Sequence, residues 1–239
     1  MISRALFYFV LVPALLPVFL VLHYVYKKDS AEREPIAVVA KVFIAGAIFS
    51  FIDIPIERVM QTILYNAYGA DTVQYELAEN IFGVALVEEL TKWAVFMVFI
   101  WKHKDFDWRY DGVVYAVTAS LGFAGMENIM YVLSYGTGVS IGRAIFSIPG
   151  HASFGVFMGY YLARAKHWDL KGNIFFCVLA LIFSVAVPVA IHGVYDFLLS
   201  PVAKETDFSA YFLVYVIAID VLSYLVIRHE FKTDRPLGE

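Results

Sequence analysis

Cysteine is nearly absent from this chain: Cys177 is the only one among 239 residues. A lone cysteine excludes an intramolecular disulfide and a structural zinc held by a cysteine pair. Charge is scarce as well. Asp, Glu, Lys and Arg make up 17% of the residues, where a soluble domain carries about 25%. There is no HExxH, no internal repeat and no low-complexity segment. What fills the chain instead is apolar: 61% of it is hydrophobic, against about 45–50% in soluble domains. That excess has to face something other than water, and lipid is the natural candidate. The net charge of −4 says little, because its distribution across a membrane matters more than its sum.

Seven apolar runs can be read: Ala5–Tyr26, Ile36–Ile56, Leu77–Trp101, Asp111–Ser134, Arg143–Ala163, Asn173–Leu199 and Ser209–Ile227. Each is near or above the roughly 20 residues that a helix needs to cross a bilayer. Strands of a membrane barrel would be about half as long and would alternate in polarity. The expected fold is therefore all-α, a multi-pass cell-membrane protein of about seven transmembrane helices. It reads as a single domain over residues 1–239, with its core at about residues 77–199. The first run is read as a retained helix rather than a signal peptide. It is long, carries Pro13 and Pro17, and lacks a small-residue cleavage site before Lys27.

Basic residues orient the chain. Lys27, Lys28, Arg33, Lys102, Lys104, Arg109, Arg164, Lys166, Lys171, Arg228, Lys232 and Arg235 follow the first, third, fifth and seventh runs. The opposite side holds only Arg4, Arg58, Arg143 and Lys204. The positive-inside rule then puts the N-terminus outside and the C-terminus in the cytoplasm. The longest connection, from about Glu57 to Glu76, falls outside, with room for a short surface helix.

Ionisable residues lie within four of the runs. They are Glu88, Glu89 and Lys92; Glu127, followed by Asn128; His151; and His192 with Asp196. An ion at the centre of a membrane helix costs about 2.5–3.5 kcal/mol on the insertion scale. Counted from the outer ends of their runs, these clusters lie roughly 10–17 Å deep. Four clusters at similar depth point to one shared pocket. Spacing agrees: Lys92 is i+4 from Glu88 and i+3 from Glu89, and Asp196 is i+4 from His192, so each pair shares a helix face. Bland readings compete at every position. The Glu–Lys group can be a structural ion pair, and a lone histidine a packing residue. Asp196 can cap a helix, and Asp53 can be a minor site member or, with Pro55 and the Glu57–Arg58 pair, shape a helix end. Gly155 and Gly159 suit close helix packing, and Asp220 has no assigned role.

Two adjacent carboxylates in a low-dielectric site cannot both ionise freely, which separates a proton acceptor from a proton donor. Histidines beside them can relay protons or hold an oxyanion, and a carboxylate-activated water can attack an amide. No serine or cysteine sits among the clusters as a nucleophile: Ser153 is turned away from His151 on a helix, and Cys177 lies near the cytoplasmic end of its run, far from the cluster. The residues permit a metal without requiring one.

In order along the chain, EELTK fits EExxK, FAGMEN (Phe123 to Asn128) fits FxxxEN and HGVYD fits HxxxD. This ordered set resembles the PrsW family of intramembrane proteases, within the group of CAAX-type prenyl endopeptidases and bacteriocin-processing enzymes. The resemblance spans Glu88 to Asp196. It implies metal-independent, cofactor-free peptide hydrolysis of a single-pass, membrane-anchored protein of the anti-sigma-factor kind, cut near its extracytoplasmic face. It implies a base in Glu88, tuned by Glu89 and Lys92, and water orientation by Glu127 with support from Asn128. His192 and Asp196 would hold the oxyanion. Glu127 departs from the prenyl endopeptidases, which carry a histidine there. His151 joins the site by its depth. Lipid is a partner and nucleic acid is not expected. Three rival readings stay open: a zinc-dependent membrane protease, a non-catalytic Aph-1-like scaffold and an ion-coupled transporter.

Overall fold

The computed structural model describes residues 4–29, 31–70 and 72–239, with side chains from residue 12 onward. The side chain of Arg4, counted above on the outer side, lies outside the described residues. Apolar runs without polar alternation must satisfy their backbone N–H and C=O groups internally, and the α-helix does this within one segment. The helices are α1 (Arg4–Lys28), α2 (Ile36–Tyr68), α3 (Val73–Ala78), α4 (Leu86–Phe99), α5 (Arg109–Tyr135), α6 (Val139–Gly142), α7 (Ile148–Leu170), α8 (Ile174–Leu199), α9 (Pro201–Glu205) and α10 (Phe212–Lys232). Two π-helical segments interrupt the α geometry: Glu79–Ala85 leads into α4 and Arg143–Ser147 into α7. Among the described residues there is no strand; a single antiparallel bridge joins Trp108 to Pro236.

The all-α expectation is met, with boundaries that differ from the apolar runs. Helix α2 continues through Pro55 and past Ile56 to Tyr68. Most of the expected outer connection is therefore helix, with α3 as its short second piece. The extension is polar (Glu57, Arg58, Gln61, Thr62), so hydropathy stops where the helix does not. Four stretches are long and apolar enough on their own to cross a membrane: Ile36–Tyr68, Arg109–Tyr135, Ile174–Leu199 and Phe208–Lys232.

Helix α5 is the axis of the bundle. In its most apolar stretch 78% of residues are buried, against 33%, 28% and 22% in the other three. Those three turn large apolar side chains outward, such as Ile44, Ile48 and Phe51, Phe175, Val178 and Ile182, and Leu213, Ile217 and Val221. An apolar belt of this kind suits hydrocarbon rather than water. Inside, glycine sets the spacing. A Cβ placed on Gly112 of α5 would meet the Gly159 carbonyl oxygen of α7 at 2.6 Å, and one on Gly155 would meet the Cα of Val117 at 2.9 Å. Only hydrogen fits at these positions, so α5 and α7 pack backbone to backbone, as small-residue seams in membrane helices do. Gly193 does the same for α8: a Cβ there would lie 2.9 Å from the Cα of Ile81 in the first π segment.

Candidate active site

The tight seams bring α4, α5, α7 and α8 around one cluster. Lys92 is its centre. Its ammonium donates to Glu88 Oε2 at 2.9 Å and Glu89 Oε1 at 2.7 Å, and lies 3.1 Å from His151 Nδ1. The Phe123 ring faces it with its centroid 4.5 Å away. An ammonium has only donors, so His151 Nδ1 accepts and the ring proton sits on Nε2. That nitrogen then donates to Glu127 Oε2 at 3.0 Å. Arg143 joins the same oxygen at 2.8 Å. On the other side, His192 Nδ1 meets Glu89 Oε1 at 2.9 Å and its Nε2 meets Asp196 Oδ2 at 3.2 Å. Phe154 stacks on the His192 ring at 4.5 Å and 22°. An unbroken chain of contacts thus runs from Asp196 through His192, Glu89, Lys92 and His151 to Glu127.

A cavity of about 920 Å³ opens onto this chain. Glu88, Glu127, His151, His192 and Asp196 line it, whereas Glu89 and Lys92 are wholly buried behind them. The two neighbouring glutamates therefore differ: Glu88 reaches the cavity and Glu89 does not. Glu89 Oε2 is buried with no hydrogen-bond partner. Both contacts to Glu127 fall on Oε2. Asn128 is placed differently from the other predicted residues. It points away from the cavity, donating to the Ala14 carbonyl of α1 at 2.8 Å and accepting from Arg143 Nε at 2.6 Å. It steadies the arginine that holds Glu127.

Several wall residues lie outside the predicted catalytic set. Arg143 reads in the sequence as an outer-loop charge. The second π segment turns it inward, where it also covers the Tyr131 ring at 4.0 Å. Asp53, near the outer end of the apolar part of α2, accepts from Thr91 Oγ1 at 2.5 Å and lines the cavity with Glu57. Both π segments contribute to the wall, through Glu79, Asn80 and Val84 and through Arg143, Phe146 and Ser147. π turns often mark functional sites, but a change of hydrogen-bond register leaves no mark in composition. Ser153 lies outside the site and donates to Asp220 Oδ1 at 3.1 Å, which gives Asp220 a partner. Cys177 is buried beside Ala165 and Ala180.

A family profile described as a PrsW family intramembrane metalloprotease matches residues 34–222. The chain belongs to the PrsW family. Protease PrsW of Oceanobacillus iheyensis is 38% identical over 191 residues, which cover 80% of this chain and 82% of that protein. Protease PrsW of Geobacillus kaustophilus is 39% identical over 184 residues, 77% and 76% of the two chains. Protease PrsW of Bacillus subtilis is 32% identical over 195 residues, 82% and 84%. No solved structure matches the chain.

The family description names a metal, so its fit to these residues matters. One ligand atom each from Glu88, Glu89 and His151 lies within 4.8 Å of the others, which is a reasonable start for a zinc site. The Lys92 ammonium already occupies the space between them, at 2.9, 2.7 and 3.1 Å. A metal taking the same three atoms at about 2.0–2.2 Å would meet that positive charge and would have to displace it. With Lys92 where it stands, the PrsW-family site of this chain does not fit a metal bound by these residues.

Proposed function

We propose that this chain is a multi-pass cell-membrane endopeptidase that cuts a single-pass, membrane-anchored protein by glutamate-activated water. The substrate class is of the anti-sigma-factor kind, and the cut falls near the extracytoplasmic face. In this reading α1, α2, α4 with its preceding π segment, α5, α7, α8 and α10 cross the bilayer, with the N-terminus outside and the C-terminus in the cytoplasm, in keeping with the basic connections. Membership of the PrsW family, with relatives that are named as proteases, supports peptide hydrolysis. The observation that carries the glutamate reading is the unequal placement of the two neighbouring carboxylates: Glu88 lines the cavity and Glu89 is sealed beneath it.

In this reading a cavity water gives its proton to Glu88 as its oxygen attacks the scissile carbonyl. Glu88 then hands the proton to the departing amide nitrogen as the C–N bond breaks. Lys92, bound to both glutamates, fixes Glu88 and balances the charge of Glu89. Glu127, held on one oxygen by His151 and Arg143, orients the water. His192 donates to the oxyanion through Nε2, exchanging its 3.2 Å contact with Asp196 for it while Nδ1 stays on Glu89; Asp196 adds a donor when protonated and otherwise leaves the donation to His192.

The test is incubation of the purified protein with candidate single-pass proteins, wild type beside Glu88→Gln, with fragments identified by mass. Glu88→Gln should abolish cleavage and keep the melting profile. Full activity in that variant would remove Glu88 as the base. Turnover that survives strong chelation, measured well below the melting midpoint, separates this mechanism from a zinc-dependent one. Absence of cleavage for every substrate would favour the scaffold reading.

A further inference from the structure

At the end of the bundle away from the cavity, three carboxylates converge with no cation between them. Asp29 follows α1, Glu34 precedes α2 and Asp111 sits in the first turn of α5. One oxygen from each lies within 4.8 Å of the other two. All three residues are buried, at 1%, 3% and 0% exposure. Asp111 and Glu127 share α5 and stand 16 residues apart, about 24 Å along the axis, so this cluster is separate from the site described above.

Donors hold one oxygen of each group in place. Asp29 Oδ2 accepts from the Glu34 backbone N–H at 3.1 Å. Asp111 Oδ2 accepts from the N–H groups of Asp107 and Trp108 at 3.0 and 2.6 Å. Glu34 Oε2 accepts from the Tyr115 hydroxyl. The remaining oxygens of the two aspartates, Asp29 Oδ1 and Asp111 Oδ1, are buried with no hydrogen-bond partner. Among the described residues no Lys, Arg or His forms an ion pair with any of the three. Carboxylates without a counter-charge are costly to bury. The free oxygens are the atoms a cation would take.

We propose that Asp29, Glu34 and Asp111 bind one hard divalent cation, which ties the α1–α2 connection to the start of α5. Oxygen-only donors select magnesium, calcium or manganese over zinc or copper, and water completes the shell. The ion replaces two unsatisfied buried oxygens with bonds and offsets the mutual repulsion of the carboxylates. The competing arrangement is a set of shared protons with no metal.

The full chain in detergent, stripped with chelator, is titrated with Mn²⁺ while free Mn²⁺ is read by electron paramagnetic resonance. One ion should bind per chain. The melting midpoint should rise by about 5–10 °C at a hundredfold excess over Kd. Asp29→Asn and Glu34→Gln should lose both effects, whereas Glu88→Gln should keep them. Should those two variants fail to fold, a nitroxide attached through Arg33→Cys in the otherwise wild-type chain places the ion, because nearby Mn²⁺ broadens its signal. No Mn²⁺ binding, or an unbroadened label, overturns the proposal in favour of shared protons. Binding lost in Glu88→Gln but kept in Asp29→Asn overturns it in favour of an ion at the reaction site.

Discussion

Replacing Lys92 with methionine tests the centre of the site most directly. The ammonium is wholly buried and binds two carboxylates, one of which, Glu89, is equally buried. Methionine fills nearly the same space but leaves both carboxylates without their cation. Breaking a buried pair from one side costs about 3–5 kcal/mol, because an uncompensated charge remains. For a chain of this size each kcal/mol moves the midpoint by about 2–4 °C, so Lys92→Met should melt about 6–20 °C below wild type. Thermal melts followed by tryptophan fluorescence in a single detergent give the value. The double variant Lys92→Met/Glu89→Gln supplies the control: with one charge also removed, much of the loss should return, and the two substitutions should be strongly non-additive. A midpoint within about 2 °C of wild type for Lys92→Met, or simple additivity in the double variant, would refute the view that this lysine is the counter-ion of the site.

Arg143→Gln removes the cation that fixes Glu127 while leaving the helices around it intact. This partly buried ion pair falls between the roughly 1 kcal/mol of a surface pair and the roughly 3–5 kcal/mol of a buried one, so cleavage should slow by about ten- to a hundredfold, with a smaller change in melting than for Lys92→Met. Gly112→Ala puts a methyl 2.6 Å from a backbone oxygen of α7, and neither helix can yield by rotating a side chain. Its cost should exceed the usual overpacking penalty of about 1–3 kcal/mol, read as a lower midpoint and a smaller folded fraction on gel filtration. Deleting Val84 should let the first π segment relax to α geometry. The relaxed segment loses the widened turn that carries Glu79, Asn80 and Val84 into the cavity wall, and activity should vanish even where the protein still folds. An active deletion variant would show that the π register is dispensable.

The polar residues of the site were legible because they are expensive where they stand. Glu88, Glu89, Lys92, Glu127, His151 and His192 interrupt apolar runs, and helical spacing by itself pairs several of them. Their assembly depended on equal depth, which topology supplies. Other features carry no such mark. Arg143 sits at the end of a run, where a basic residue needs no explanation, and only the π segment turns it toward Glu127. Asp29 and Glu34 lie in a short polar connection of the kind that usually faces water. Nothing local tells that α5 and the residues around Tyr115 close over them. Asn128 belongs to a motif, yet its amide is spent on α1 and Arg143, a choice made by packing. Helix α2 outruns its apolar stretch because a helix needs hydrogen bonds along its length, and lipid along only part of it.

The glycine contacts also bear on how a membrane-anchored substrate, on the proposed function, would reach Glu88. Where two backbones touch, a gap wide enough for a third strand of polypeptide requires moving whole helices, since no side chain is there to swing aside. The contact of α8 with Ile81, in the π segment whose Glu79, Asn80 and Val84 line the cavity, therefore makes that part of the wall a fixed jamb. On the proposed function, entry would fall to parts of the rim without such contacts, such as the short helix α6, whose Val139 and Gly142 line the cavity, and α10, whose Phe212 does.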